Sequence, residues 1–223
     1  MSFRKAIEDY RYLKNRRYPD KAALKLVSDH YRLDSGLRNS LFRAIFASED
    51  CLMRRAKLTA AADVGGHLLG VDWYNVLITV ESYLKGFPVF LSDDGLARDS
   101  SGIHGSYRPG KVTERAVAEI LSTISALKPS GVELFLDSPI SYSGDMAEQL
   151  RGRLAGSASM YHSVSVFPSA DYPLKSFEGI VATSDSSIID RKQVRRVFDL
   201  ARFVLESSFH ARIPPVEELG EGS

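Results

Sequence analysis

The stretch His67-Leu68-Leu69-Gly70-Val71-Asp72-Trp73-Tyr74-Asn75-Val76-Leu77-Ile78 decides the fold, because an apolar run ends at an acidic residue and a helical pattern begins within four residues. The apolar run over 67–71 has the length of a short buried strand. A helix is predicted over 76–84 by apolar residues at helical spacing, namely Val76, Leu77, Val80 and Leu84. A strand followed at once by a helix is the first half of a βαβ unit.

The same alternation continues towards the end of the chain. Further strands are predicted at the apolar runs 88–91, 132–136, 162–167 and 179–182. Helices are predicted over 113–127, 145–154 and 191–205, and a long loop rich in Gly, Ser and Arg is predicted over 95–112. Strands separated by helices predict an α/β fold with a mostly parallel sheet of about five strands, flanked by helices and joined by right-handed connections.

The composition is that of an ordinary globular protein. Of 223 residues, 44% are hydrophobic and 26% are charged, and a net charge of +1 argues against a protein that coats a polyanion along its whole length. The single cysteine, Cys51, excludes an internal disulfide and favours a reducing compartment. The sequence has no apolar run of the roughly 18 residues that span a bilayer and no signal-peptide pattern. We therefore expect a cytoplasmic protein with no membrane partner.

The near-zero net charge hides an asymmetry between the two ends of the chain. Residues 1–60 hold 14 Lys and Arg against 7 Asp and Glu, whereas residues 61–223 hold 15 against 21. A change of charge and composition near residue 60 indicates two units with different electrostatic tasks. We predict a basic helical domain over 1–62, an α/β domain over 63–208 and a disordered acidic tail over 209–223.

The basic domain has two open interpretations. Helices are predicted over 21–31 and 48–58, with a third beginning near Leu37 after a Gly-containing turn. Two short helices across such a turn are typical of a helix-turn-helix, which would contact phosphates through Arg16, Arg17, Arg38 and Arg43. The alternative is a small bundle whose cations form a solvated face.

Carboxylates follow four of the five predicted strands. They are Asp72, then Asp93 and Asp94, then Asp137, then Asp185, with Asp190 five residues further on. Because the carboxyl ends of parallel strands meet at one edge of a sheet, these side chains are predicted to converge, repel one another and favour a bound cation. A set of oxygen ligands selects Mg²⁺ or Mn²⁺, which activate water for phosphodiester cleavage. The alternative for Asp93 and Asp190 is a role in a cap or turn.

Three local sequences resemble the PIN-like and NYN-type nuclease domains. Residues 71–78 resemble their opening strand with its Asp and Asn, 182–190 resemble their late acidic segment, and Leu136-Asp137 resembles their middle strand end. The whole chain is also similar to an uncharacterised prokaryotic family that joins a basic helical domain to such an α/β domain.

The resemblance implies a metal-dependent nuclease or phosphodiesterase that acts on nucleic acid, with RNA as the expected substrate. The residues implied to hold the ion are Asp72, Asp137 and Asp185, completed by Asp93, Asp94 or Asp190. Asn75 is implied to orient Asp72 or the attacking water. The family's second acidic position stays open between Glu81 and the pair that follows the second predicted strand.

The long loop places further cations near the predicted acidic edge. Arg98, Arg108 and Lys111 would hold substrate phosphates if the loop is a lid, and the alternative is a mobile surface loop.

The alternative function is a catalytically silent PIN-like module that binds nucleic acid or protein. A nucleotide-binding Rossmann enzyme is disfavoured, because no Gly-x-Gly-x-x-Gly and no P-loop follows the first predicted strand.

Overall fold

The computed structural model describes residues 3–101, 107–155 and 161–219. The N-terminal helical unit consists of α1 (Phe3–Asn15), α2 (Asp20–Tyr31), α3 (Ser35–Ala44) and α4 (Ser48–Arg55). The apolar faces of its first three helices meet around Ile7, Tyr10 and Leu41, none of which has exposed surface. α3 begins where the Asp34 carboxylate accepts the backbone N–H of Leu37, which satisfies one donor at the helix start.

The α/β unit follows the helical unit. Its elements are β1 (Leu68–Asp72), α5 (Trp73–Leu84), β2 (Val89–Leu91), β3 (Ala97–Asp99), α6 (Thr113–Leu127), β4 (Gly131–Asp137), α7 (Ser143–Leu154), β5 (Tyr161–Phe167), α8 (Asp171–Leu174), β6 (Ile180–Ala182), α9 (Ser186–Ile189), β7 (Arg196–Phe198) and α10 (Leu200–Phe209). Among the described residues, five strands form a parallel sheet in the order β5-β4-β1-β6-β7. The predicted α/β class, with a helical unit before it, is confirmed.

Apolar layers cover both faces of the sheet. The main core lies between the sheet and α5, α6, α7 and α10, and a second core lies on the opposite face with α8 and α9. In β1, Leu69 and Val71 belong to the main core, and Gly70 leaves room on the other face for the ring of Phe177. A Cβ atom at residue 70 would lie 2.8 Å from that ring. β1 is therefore a central strand that is buried from Leu69 onwards, and it ends at Asp72.

The predicted strand over 88–91 lies outside the parallel sheet, so the expectation that it brings carboxylates to the common edge is wrong. This strand is β2, which pairs antiparallel with β3. The chain reverses at Gly95, whose φ of +86° is a left-handed conformation that glycine adopts without strain. A connection this short joins antiparallel strands, because a parallel pair needs a crossover of about a dozen residues.

The predicted helix over 191–205 is wrong in its first half. A loop and β7 occupy 191–198, and α10 begins only at Leu200. The Asp199 carboxylate accepts the backbone N–H of Arg202 and sets the start of α10. Val197 and Phe198 are buried as part of the strand that pairs with β6. Their apolar side chains therefore do not belong to the buried face of a helix.

Residues 213–219, predicted to lie in a disordered tail, pack against the helical unit. Val216 has no exposed surface and belongs to the core of the helical unit. The backbone N–H of Leu91 donates to the Pro214 carbonyl at 2.8 Å, which holds this segment beside β2. Phe90 of β2 enters the same core. The helical unit therefore completes its core with side chains from the α/β unit and from the C-terminal segment.

We expect residues 58–223, produced without the helical unit, to melt about 10 °C or more below the full chain, or to aggregate. Exposing Phe90 and Val216 costs about 1.5–3 kcal/mol each, and the buried Asp94 loses its partner Arg54. The measurement is thermal unfolding followed by circular dichroism. A truncated chain that melts within about 3 °C of the full chain would show that the α/β unit needs no support.

Candidate functional site

The carboxyl ends of β1 and β6 meet where the strand order reverses. From β1 the chain proceeds to β4 and β5 on one side of the sheet, and then to β6 and β7 on the other side. In open α/β sheets, ligands bind in the crevice outside the strand ends at such a reversal. Asp72 ends β1, and Thr183, Ser184 and Asp185 follow β6 directly, so these residues define the candidate site.

Asp72 is a buried carboxylate, with 4% of its surface exposed. Its Oδ2 accepts a hydrogen bond from Thr183 Oγ1 at 2.8 Å. Burial raises the pKa of Asp72 well above its usual value; the hydrogen bond opposes this shift, and the charges of Asp185, Asp137 and Asp171 add to it. A cation placed here would stabilise the ionised form that these surroundings disfavour.

Local hydrogen bonds hold the neighbouring carboxylates of this edge. Asp137 Oδ1 accepts the backbone N–H of Ala170 at 2.8 Å, and Asp185 Oδ1 accepts that of Ser187 at 2.7 Å. Both residues act electrostatically on Asp72. Asp137 and Asp185 are therefore near enough to Asp72 to raise its pKa.

Asp171 belongs to the same edge, although the sequence patterns did not indicate it. It lies four residues beyond the end of β5, and its Oδ2 accepts from the Ser187 hydroxyl at 3.0 Å and pairs with Lys175 at 2.7 Å. A search a few residues past each predicted strand would have found it. Within the described part of the chain, no three Asp, Glu, His or Cys side chains lie close enough together to hold a metal ion.

Asn75 connects the first turn of α5 with the loop after β6. Its Oδ1 accepts from the Ser184 backbone N–H at 2.8 Å and from the Ser184 hydroxyl at 3.1 Å. The Ser184 carbonyl in turn accepts from Nε and Nη2 of Arg98, at 3.0 and 2.7 Å. Asn75 and Arg98 thus hold Ser184 from two sides and position the adjoining Asp185.

Asp94, predicted as a metal ligand, is instead the centre of a buried ion-pair cluster. It has no exposed surface and pairs with Arg98 at 2.7 Å and with Arg54 at 3.0 Å. Burial opposes its ionisation, but Arg98, Ser92 and Arg54 together lower the pKa of Asp94 to about 2. Both guanidinium groups also lie over the ring of Phe46: that of Arg54 is 4.3 Å from the ring centroid and that of Arg98 is 4.8 Å from it. Arg98, predicted to bind substrate phosphates, is therefore already occupied.

The other two predicted ligands, Asp93 and Asp190, are also paired with arginines. Asp93 pairs with Arg11 at 2.5 Å, and Asp190 pairs with Arg54 at 2.7 Å. Asp93 follows a hairpin strand, not a strand of the parallel sheet, which explains why it does not join the carboxylates at the sheet edge. Both predicted ligands are thus held by arginines of the helical unit in this structure.

Glu81, the other candidate for a second acidic ligand, has a structural role. It is buried in α5, and its Oε1 accepts from Tyr107 Oη and Thr113 Oγ1, both at 2.6 Å. Its Oε2 pairs with Lys85. These bonds tie α5 to the start of α6, so Glu81 is not a candidate ligand at the strand ends.

The predicted nucleic-acid contacts divide into exposed and paired side chains. Four are exposed and form no ion pair with the described part of the chain, namely Arg16, Arg38, Arg108 and Lys111. Arg17 is also exposed but pairs with Asp50 at 2.8 Å, and Arg43 pairs with Asp99 at 3.1 Å. Part of the predicted lid, 102–106, lies outside the described residues.

Ion pairs between the two units account for much of the charge asymmetry. They join Arg11 to Asp93 and Glu217, Arg43 to Asp99, and Arg54 to Asp94 and Asp190. The positive charge of the helical unit thus serves in part to hold the acidic α/β unit. This observation favours the interpretation of the helical unit as a packed bundle over an independent helix-turn-helix.

A cleft of about 540 Å³ lies between the helical unit and the carboxyl edge of the sheet. The helical unit lines it with cations, among them Lys14 and Arg17, and with Phe42, which is 47% exposed. The α/β unit lines it with Asn75 and Asp185. The cleft can therefore accept a ligand that carries both anionic groups and flat rings.

Most of the α/β unit matches the model of a known protein family. Residues 61–203 match the model described as a domain of unknown function, DUF5616. The chain belongs to the DUF5616 family. The DUF5616 match begins before β1 and ends inside α10, so it contains every carboxylate of the candidate site. Residues 2–57 match a second model, described as a protein of unknown function, DUF434.

A full-length relative carries both units. A protein of Methanocaldococcus jannaschii, described as uncharacterized, is 33% identical over 206 residues, which cover 92% of this chain and 98% of the relative. No solved structure matches the chain. Among the described helices, none combines the length and the apolar character needed to cross a membrane.

Proposed function

We propose that this protein is a nuclease that cleaves single-stranded RNA with a divalent metal ion at the carboxyl ends of β1 and β6. The observation that carries the proposal is the burial of Asp72 beside Asp185, Asp137 and Asp171, at the reversal point of the sheet. Four neighbouring carboxylates are unfavourable without a cation. The resemblance of the sequences around Asp72 and Asp185 to PIN-like and NYN-type nucleases supports the same chemistry.

The donor chemistry at this edge fits Mg²⁺ or Mn²⁺. The side chains that face Asp72 offer carboxylate and hydroxyl oxygens, which hard cations prefer. Mg²⁺ commonly keeps several waters and binds through one or two carboxylates, so it does not need three side chains already drawn together. Asp72 and Asp185 would hold the ion, with Asp137 and Asp171 beside it. Once bound, the ion would activate a water and stabilise the leaving oxygen of a phosphodiester.

The residues around the carboxylates have positioning roles in this proposal. Thr183 orients the Asp72 carboxylate through its 2.8 Å hydrogen bond. Asn75 holds Ser184, so that Asp185 stays on the wall of the cleft. Because burial raises the pKa of Asp72, protons compete with a cation for this carboxylate, and we expect the affinity for the cation to rise with pH.

The lining of the cleft beside these carboxylates supports a single strand as the substrate. Lys14, Arg17 and Arg43 line the cleft from the helical unit and are paired with Asp20, Asp50 and Asp99. Phosphates would bind there by replacing these carboxylates as partners of the cations. The half-exposed ring of Phe42 offers a surface on which an unpaired base can stack. Stacking tolerates any base, so we expect little sequence preference.

A second candidate function is a module that binds nucleic acid without cutting it. One observation favours it: in the described part of the chain, no three potential ligands are close enough to hold an ion. The two candidates differ in whether a bound strand is cut when metal is added.

The test is cleavage of a short 5′-labelled single-stranded RNA by the full chain in Mn²⁺, in Mg²⁺ or in EDTA. We expect products with either metal and none in EDTA. Asp185→Asn is expected to remove the activity, because it takes away a proposed ligand. The matched control is Asp63→Asn, which changes an exposed carboxylate before β1 and is expected to leave cleavage unchanged. RNA that binds the wild type but stays intact in both metals would instead support the silent module.

A further inference from the structure

The loop between α9 and β7 carries a dense positive charge. Residues 191–196 read Arg-Lys-Gln-Val-Arg-Arg, with four cations and no acidic residue. Arg191, Lys192 and Arg195 are exposed and Arg196 is half-buried, whereas Val194 is buried. We call these six residues the basic segment.

The cations of the basic segment form no ion pair within residues 3–101, 107–155 and 161–219. The preceding acid, Asp190, is already bound to Arg54 at 2.7 Å. Glu178 lines the same groove as Arg195 and Arg196 but does not pair with either. The basic segment thus differs from the helical unit, whose cations at the unit interface are bound to carboxylates.

The basic segment begins beside the wall of the cleft and runs to the opposite edge of the sheet, where Arg196 pairs with Ile180 at the start of β6. Ser186 and Asp190, which precede the segment, line the cleft. Lys57, just after α4, donates to the carbonyl of Arg191 at 2.9 Å and to that of Ile189. This contact fixes the start of the segment beside the helical unit. A strand that leaves the cleft past Asp190 therefore reaches Arg191 first, and it reaches Arg195 and Arg196 at the opposite edge of the sheet.

We infer that the basic segment binds the phosphate backbone of the single-stranded RNA whose cleaved part lies in the cleft; this inference rests on the proposed function. Unpaired cations suit a polyanion, because each neutralised phosphate releases counterions. An anionic membrane is the other partner of basic segments. The buried Val194, however, leaves the segment without an exposed apolar side chain that would enter the lipid.

The test is fluorescence anisotropy of a fluorescein-labelled single-stranded RNA, titrated with the full chain in EDTA at several salt concentrations. The variant changes all four cations, Arg191, Lys192, Arg195 and Arg196, to Gln. We expect binding to weaken about tenfold or more near 100 mM salt. The slope of log Kd against log salt should fall by about 2–3, because each phosphate contact on a single strand contributes about 0.7.

The matched control changes four exposed cations of the helical unit to Gln, namely Lys5, Lys21, Lys25 and Arg32, and so removes the same net charge. We expect it to weaken binding less than about threefold. Equal losses in the two variants would show that only net charge matters and would overturn the inference. Unchanged affinity in the first variant, or binding to phosphatidylserine vesicles in place of RNA, would overturn it as well.

Two further measurements distinguish a loss of RNA binding from a loss of folding or of cleavage. Arg196 begins β7, so the melting temperature of the fourfold variant is compared with that of the wild type. If the variant unfolds, a variant of Arg191, Lys192 and Arg195 alone is used, and its salt slope should fall by about 2. Because the titration contains EDTA, binding is measured without cleavage. A protein that binds through the basic segment but never cuts RNA would refute the nuclease proposal and still show that this segment binds the RNA backbone.

Discussion

The Asp72→Asn variant is expected to lose all detectable metal-dependent RNA cleavage and, without metal, to melt at a higher temperature than the wild type. The native carboxylate is buried beside three others, so its ionised form is unfavourable until a cation binds. Asn is neutral and still accepts the hydrogen bond from Thr183. The loss of activity should exceed the roughly 100-fold that removing a supporting partner of a metal ligand can cost.

The same variant separates metal binding from catalysis. For the wild type, Mn²⁺ at about 100 times its Kd should add about 2.7 kcal/mol to the free energy of unfolding. We expect most of this gain to vanish in Asp72→Asn and to persist in the Asp63→Asn control, as measured by thermal unfolding with and without Mn²⁺. If neither Mn²⁺ nor Mg²⁺ changes the melting temperature of the wild type, the proposed metal site does not exist. Full activity in Asp72→Asn would show that this residue is not part of the site.

The Arg98→Met variant is expected to lose about 3–5 kcal/mol of the free energy of unfolding near neutral pH, the usual cost of leaving one member of a buried ion pair unpaired. Asp94 would keep only Arg54 as a charged partner, and the Ser184 carbonyl would lose both of its bonds to Arg98. Urea unfolding without metal measures the change. The matched control is Arg202→Met, which removes a surface pair with Glu206 and should cost less than about 1 kcal/mol.

The pH dependence of this loss identifies its cause. In the wild type the pKa of Asp94 is about 2, below the unfolded value of about 3.9. The stabilisation from this carboxylate is therefore present above about pH 4 and is lost as the pH falls towards 2. The difference between the wild type and Arg98→Met should be largest near neutral pH and should shrink below about pH 4. A difference that stays constant over this range would show that the ion pair is not the cause.

Local sequence patterns were sufficient to predict most strands of the sheet, but they were not sufficient to predict its edge strand β7. The predicted strands 132–136, 162–167 and 179–182 lie within one residue of the ends of β4, β5 and β6. Buried strands in a parallel sheet are apolar runs between turn signals, and such runs are visible in a window of a few residues. β7 was missed because its three residues continue the apolar spacing of α10, and only pairing with β6 distinguishes a strand there.

The sequence by itself determined the alternation of strands and helices, and it determined that Asp72, Asp137 and Asp185 stand just after strands. Both properties depend on neighbours within a few residues, through apolar spacing and helix starts. Only the tertiary structure decided which carboxylates meet. β4, β1 and β6 lie side by side, so Asp137, Asp72 and Asp185 stand at neighbouring strand ends, whereas the hairpin lies outside the sheet and brings Asp94 to Arg54 of the helical unit. Strand order and the docking of the two units depend on contacts between residues far apart in the chain, and no local pattern contains them.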